Sequence, residues 1–191
     1  MGSDLARIQK KFEDFAYVLD FLAQGMMGRG AYRAEPMVQL LGESYFTLLE
    51  AIVMRDAAPD LGERLYIGKD LSREKIDHIL GRITYQDLTA VARTELPNVI
   101  EKIVRNQEDR FLGFFNNASA MTPRMHALEL LPGIGKKYMW TILRARERKP
   151  FVSFQDMKDR TEIHDPSKLL AKRVLEELSE DAKYRLFTRP P

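Results

Sequence analysis

Cysteine is absent from this chain of 191 residues. That excludes a disulfide framework, a thiolate zinc site and a cysteine nucleophile. Histidine is scarce: the three, His78, His126 and His164, lie far apart in sequence. A histidine-rich metal site is therefore not expected, and surface or capping roles suit each of them. His126 and Glu129 could share a helix face around a metal, but a surface or capping role for His126 is preferred. Gln and Asn together number 10, and so few thermolabile residues beside many charges lean toward a thermophile. No apolar run approaches the roughly 20 residues that span a bilayer. Met1 to Glu13 is charged and lacks the apolar centre of a signal peptide. A cytoplasmic protein without a membrane partner fits these absences. Neither a Gly-x-Ser-x-Gly elbow nor a phosphate-loop lysine motif is present.

What is present is charge, unevenly placed. Apolar residues make up 45% of the chain and charged residues 30%, enough core for one large or two small domains. The net charge of +2 hides an asymmetry. From Thr122 onward there are 15 Lys/Arg against 10 Asp/Glu, whereas Met1 to Met121 holds 15 against 18. The short segment 136–149 carries Lys136, Lys137, Arg144, Arg146, Arg148 and Lys149 against the single acid Glu147. Such a block is the footprint of a nucleic-acid partner, or else an ordinary solvated helix face.

Just before that block stands Leu131-Pro132-Gly133-Ile134-Gly135-Lys136-Lys137. Two glycines separated by a single residue let the backbone turn with positive φ and leave amides uncovered. The second opens a helix, so free N–H groups and the positive end of the helix dipole point outward as an anion site. The pattern resembles the helix-hairpin-helix motif. That resemblance implies a grip on a nucleic-acid backbone through the amides of Gly133, Ile134 and Gly135, without reading sequence. It also implies a monovalent cation held by hairpin carbonyls; no other cofactor is expected. A branched side chain at Gly135 is expected to crowd the hairpin. The bland alternative is a helix corner with no ligand.

The chain before Asp87 reads as strands. Phe12 to Phe21 centres on a strand at Ala16 to Leu19. Gln24 to Gly30, with three glycines, reads as a mobile loop. Pro36 to Gly42 is a second strand. Tyr45 to Met54 is a third; periodicity alone would also allow a helix there, but aromatic and β-branched content favours strand. Leu61 to Gly68 is a turn and a strand. Ser72 to Leu80 reads as a short helix capped by Ser72 and closed by Gly81, and Arg82 to Tyr85 as a short strand. Several short strands with one helix suggest a small OB-like barrel. Tyr17, Arg29, Tyr32, Arg33, Tyr66 and Lys69 are candidates for its binding face, because such barrels stack bases on aromatics between cations.

Helical periodicity follows. Positions 96, 99, 100, 103 and 104 mark a helix beginning at Leu96-Pro97, continued by Phe111 to Phe115 and broken at Asn116. Thr122 is expected to cap the helix before the hairpin, with Pro123 at its first position. Lys149-Pro150 ends the basic helix. Ser153 then caps a short helix, with Asp156 as its partner acid. Asp165-Pro166 opens the last helix, where Leu170, Val174 and Leu178 share a face. This is helix, turn, helix a second time, but Glu162 to Pro166 lacks both glycines and is not expected to grip phosphate.

Taken together, Gly62 to Gly68, Gly81 to Leu88 and Leu130 to Lys137 resemble the archaeal domain-of-unknown-function 655 family. The resemblance spans nearly the whole chain. It implies a cytoplasmic nucleic-acid-binding protein working around RNA and the translation machinery, with no established activity.

The expected fold is therefore α+β: an OB-like β domain over 1–86, a helical connector over 87–121, and an all-α tandem helix-hairpin-helix (SAM/HhH-like) domain over 122–191 with a degenerate second hairpin. The expected function is non-catalytic binding of RNA or DNA. Gly133, Ile134, Gly135, Lys136 and Lys137 would hold phosphates, and Arg144, Arg146, Arg148 and Lys149 would extend the track. The rival is a protein-interaction scaffold whose hairpin domain docks a partner protein. Asp156 has the spacing of a helix-hairpin-helix glycosylase acid, but capping explains it better. Trp140 shares a stripe with Lys136 and Arg144. A base could stack on it, but it is expected to pack the hairpin domain against the barrel, since large aromatics are mostly buried.

Overall fold

Side chains alternate along the first strand, and both sets are buried. In β1 (Phe15–Leu22), Ala16 and Val18 enter one apolar cluster while Tyr17 and Leu19 enter another. The same division holds in β4 (Met37–Gly42), with Val38 and Leu40 on one side and Leu41 on the other. It holds again in β5 (Leu48–Val53), with Leu49, Ala51 and Val53 opposed to Leu48. Two buried faces turn an alternating pattern into a near-continuous apolar run. This is why the 45–54 stretch reads as either helix or strand.

The structure is a computed structural model that describes residues 12–27 and 32–189, with only the backbone described for Met27, Tyr32 and Arg33. Five strands form one antiparallel sheet in the order β6-β1-β4-β5-β7, with β6 at Arg64–Tyr66 and β7 at Ile76–Arg82. Register shifts in β1 between Val18 and Asp20, and in β5 on either side of Ala51–Ile52, bend the strands. The sheet curls into a half-barrel around Ala16, Val18, Val38, Leu40, Ala51, Leu65 and Ile76, a cluster to which no helix contributes among the described residues. Its edges, β6 and β7, do not pair with one another among the described residues. Part of the glycine-rich loop forms a two-residue ribbon, β2 (Met26–Met27) with β3 (Tyr32–Arg33).

Two local expectations fail here. Residues 72–80 are not a helix: β7 pairs Ile76 with Val53 and His78 with Ile52, and Ile76 is buried. The open edge of β5 supplies backbone partners that outweigh a weak local helix signal. Nor is 82–85 a strand beyond Arg82. Asp87 Oδ2 accepts from the Thr84 N–H at 2.8 Å and from its hydroxyl at 2.7 Å, closing a 3₁₀ turn at Tyr85–Asp87.

The helices start on a polar latch. Buried Gln39 of β4 donates to Asp87 C=O and accepts from Thr89 N–H, at 3.0 and 2.9 Å. Thr89 donates to Asp20 of β1 at 2.6 Å, and its oxygen accepts from Ala92 N–H as the cap of α1 (Ala90–Asn106). The helix therefore begins six residues before Leu96, and Pro97 sits exposed in its interior. Helix α1 packs on β1 and β4 and, on another side, against α5 (Pro166–Ser179). Leu96, Ile100, Ile103 and Val104 belong to a cluster that runs from the outer face of the sheet through α2 (Glu108–Asn117), α3 (Lys136–Arg148), α4 (Phe154–Thr161) and α5. The sheet and the helices thus share one core. Among the described residues, no helix is long and apolar enough to cross a membrane.

Candidate nucleic-acid interface

The approach to the hairpin differs from its expected form. Thr122 and Pro123 do not start a helix. Instead β8 (Ala120–Thr122) and β9 (Met125–His126) form a small ribbon, followed by one 3₁₀ segment, Ala127–Leu130. His126 and Glu129 build a reciprocal cap. The His126 N–H donates to Glu129 Oε2 at 2.8 Å, and His126 Nδ1 accepts from Leu128 N–H at 3.1 Å. Burial, together with the Arg146 charge, holds the His126 imidazole below its ordinary pKa, against the opposing pull of Glu129. With these atoms committed, the pair is a cap, and no group of three metal-ligating side chains occurs among the described residues. His78 and His164 are surface residues.

The hairpin itself is a tight turn. Ile134 N–H donates to Leu131 C=O at 3.0 Å across Pro132 and Gly133, and Gly133 has φ +83°. That is the arrangement of a turn with proline second and glycine third. Leu131 and Ile134 are buried and anchor it. The Ile134 amide is therefore committed to the turn. Gly135 caps α3 with φ −87° and ψ −176°, and no side chain caps this end. The first turn of α3 contains no acid. Met139 N–H reaches Gly135 C=O, leaving the amides of Gly135, Lys136, Lys137 and Tyr138 without a hydrogen-bond partner among the described residues. Lys136 and Lys137 are exposed beside them.

Gly135 corrects another expectation. A Cβ there would meet nothing within 4 Å, and its backbone angles suit any residue. The fold therefore gives no reason for glycine at this position. Gly133 differs, because its positive φ requires the freedom.

Along α3 the basic block divides. Arg144, Arg148 and Lys149 are exposed. Arg146 is not part of that track: its guanidinium donates to Phe115 C=O at 2.9 Å and ties α3 to the end of α2. Arg160 of α4 closes the other end of α3 by donating to Ala145 C=O and Lys149 C=O, each at 2.6 Å. Trp140 does not pack against the sheet. It is 54% exposed, while its neighbours Met139 and Ile142 bury the opposite face of α3.

Asp156 is a cap. Its N–H donates to Ser153 Oγ at 2.9 Å, its carboxylate accepts from Val152 N–H, and it pairs with Arg160 at 2.9 Å. Partial desolvation pushes its pKa up, but the Val152 hydrogen bond and the Arg160 guanidinium outweigh it and hold the carboxyl below the ordinary value. At the second turn, Glu162 takes φ +61° and Asp165 caps α5 through Lys168 N–H while pairing with Arg105.

The described side chains of the expected barrel face, Tyr17, Tyr66 and Lys69, are not brought together on one binding surface. Tyr17 is buried beneath α1, with Lys102 over its ring at 5.2 Å. The Tyr66 hydroxyl accepts from the N–H groups of Asp70 and Leu71, and its ring meets Phe15 edge-on. Lys69 is exposed, with its ammonium over Phe12. Arg29 lies outside the described residues, and only the backbone of Tyr32 and Arg33 is described. A cleft of about 240 Å³ lies elsewhere, between Phe46–Leu48, Arg82–Gln86 and Leu178–Asp181. Its Arg82, Arg185 and Arg189 are offset by Glu180 and Asp181.

The fold defines a mixed α+β protein in which, among the described residues, a five-stranded antiparallel half-barrel is joined to five helices, with an exposed cationic helix start on the helical side. The chain belongs to the family described as protein of unknown function DUF655, whose model matches residues 12–189. Over 182 residues it is 47% identical to the uncharacterized protein MJ0038 of Methanocaldococcus jannaschii, covering 94% of this chain and 82% of that one. It is also similar to the crystal structure of Af1531, a DUF655 protein from Archaeoglobus fulgidus. The TM-score is 0.84 and the identity 44%, covering 93% of this chain and all of the other.

Proposed function

We propose that this protein binds nucleic acid, RNA foremost, without catalysing a reaction on it, and that the contact is the start of α3. In this reading the half-barrel is OB-like. The 3₁₀ segment, the Pro132–Gly133 turn and α3 form a helix-hairpin-helix unit whose first helix is reduced to one turn. One observation carries the proposal: a helix end with unpartnered amides, two exposed lysines and a glycine the fold does not require. Two cations at the positive end of a helix dipole cost about 0.3–1 kcal/mol each when nothing is bound. A phosphate there reverses the sign, and a bare Gly135 lets it reach the amides. Arg144, Arg148 and Lys149 extend the cationic surface along and just beyond α3.

The test is Lys136→Glu/Lys137→Glu, read by fluorescence anisotropy on short RNA and DNA at several salt concentrations. Affinity falls at least about tenfold, and the salt slope shrinks by roughly one unit for each phosphate no longer held. The thermal midpoint stays level or rises slightly, because the dipole is relieved. If the variant binds both polymers as the parent does, the hairpin is a structural corner. A docked protein held by apolar packing, with little salt dependence, then becomes the better reading.

A further inference from the structure

Trp140 stands on the surface of α3 one turn after Lys136 and one turn before Arg144, and all three are exposed. Residues four apart on a helix are neighbours, so the indole lies between two cations on one stripe, with Arg148 a turn further on. No ring or cation contact engages Trp140 among the described residues. The packing of α3 is carried by Met139 and Ile142, with Tyr138 and Leu143 partly buried. No hydrogen bond to this side chain occurs among the described residues either, and it is 54% exposed, whereas other large aromatics near the helices, such as Phe111, Phe115 and Phe151, are buried.

Building on the proposed function, we infer that Trp140 is a stacking platform for an unpaired nucleobase, so that the ligand is a single strand or an unpaired end and not a closed duplex. Phosphates at the start of α3 and at Arg144 would flank the base that lies on the indole. An aromatic face between cations binds a strand in this way whatever the base, since every base has a π face. Inside a duplex the base faces are already stacked on their neighbours. Presenting one would require flipping it out, at an unstacking cost. The flanking charge also selects the occupant: Lys136, Lys137, Arg144 and Arg148 complement a polyanion and would repel a basic protein surface.

Trp140 is the only tryptophan in the chain, so its fluorescence reports on this position alone. The experiment titrates the full chain with a single-stranded RNA oligonucleotide, a blunt duplex of the same length and a base-free inorganic polyphosphate. Emission is followed for the parent, and affinity by anisotropy or competition for the parent, Trp140→Ala and Trp140→Phe. The single strand quenches emission, and polyphosphate competes for the site without the same quenching. Trp140→Ala weakens single-strand binding by about 5- to 100-fold, as expected when one base stack is removed. It leaves duplex and polyphosphate affinity, the salt slope and the melting midpoint near the parent's, and Trp140→Phe recovers most of the loss. Equal affinity of parent and Trp140→Ala for the single strand overturns the inference, as does an equal loss on all three ligands. If the lysine variant still loses binding in that case, the phosphate grip stands without the stack. If neither variant changes binding, both readings fall.

Discussion

Two glycines two residues apart are glycine for different reasons. Gly133 has φ +83°, a conformation that costs a residue with a Cβ about 1–2 kcal/mol. Gly133→Ala therefore lowers stability by about 1 kcal/mol in urea unfolding. Gly135 has ordinary angles and open space around it. Gly135→Ala leaves the melting midpoint near the parent's, because the slightly poorer cap is offset by a less flexible unfolded chain. If a phosphate is held at this helix start as proposed, the added methyl group takes up open space in its approach, and nucleic-acid affinity falls several-fold. Unchanged affinity in anisotropy would show that no ligand approaches the backbone there. From the sequence both glycines read as turn residues. Only the backbone angles and the empty space around Gly135 separate them.

At the scale of the element, the 3₁₀ segment before the hairpin depends on His126. Its Nδ1 accepts a backbone hydrogen bond, which the protonated ring cannot do. Burial first, then Arg146, depresses its pKa below 6.5. A group with a lowered folded pKa contributes stability above its unfolded pKa and loses it as pH falls through the folded value. The cap is thus intact at pH 7.5 and weakens below about 6.5. His126→Asn keeps an acceptor without titrating. In urea unfolding the parent loses stability relative to this variant as pH falls from about 7.5 to about 5.5, in the window below the unfolded pKa. Parallel pH curves for the two proteins would show that the imidazole is not titrating against its cap. The sequence allowed a surface or capping role for His126, but the reciprocal cap with Glu129 at the start of a 3₁₀ segment came only from the structure. The ribbon before them was not legible either, because Thr122-Pro123 is as good a helix start as a strand end.

At the scale of the whole molecule, the C-terminal strap closes over the helices through one buried carboxylate. Glu177, fully buried, accepts from the N–H groups of Leu186, Phe187 and Thr188, from the Thr188 hydroxyl and from Arg173. This places the Phe187 ring 5.6 Å from Phe111 and 5.1 Å from Phe114. Removing one member of a buried charged network leaves the others unpaired, at about 3–5 kcal/mol. Glu177→Ala should lose that much in chemical unfolding and make the chain beyond Tyr184 susceptible to proteolysis. Glu177→Gln should recover only part, since its amide N–H₂ would face backbone donors. A variant as stable and protease-resistant as the parent would show that the strap is held by its aromatic packing alone.

Local chemistry in the sequence by itself determined the strand centres of β1, β4 and β5, the Pro132–Gly133 turn, the caps at Ser153 and Asp165, and the buried face of α5. Each depends on residues within a turn or two of one another, where spacing and capping preference suffice. The tertiary structure decided the rest. It drew 76–82 into β7 because the edge of β5 was open, and it buried Tyr17 because α1 covers that face. It committed Arg146 to Phe115, an acceptor 31 residues away. It left Trp140 outside because Met139 and Ile142 already fill the inner side of α3. These outcomes turn on which surfaces meet across long separations, and a periodic pattern along one element carries no record of what lies opposite it.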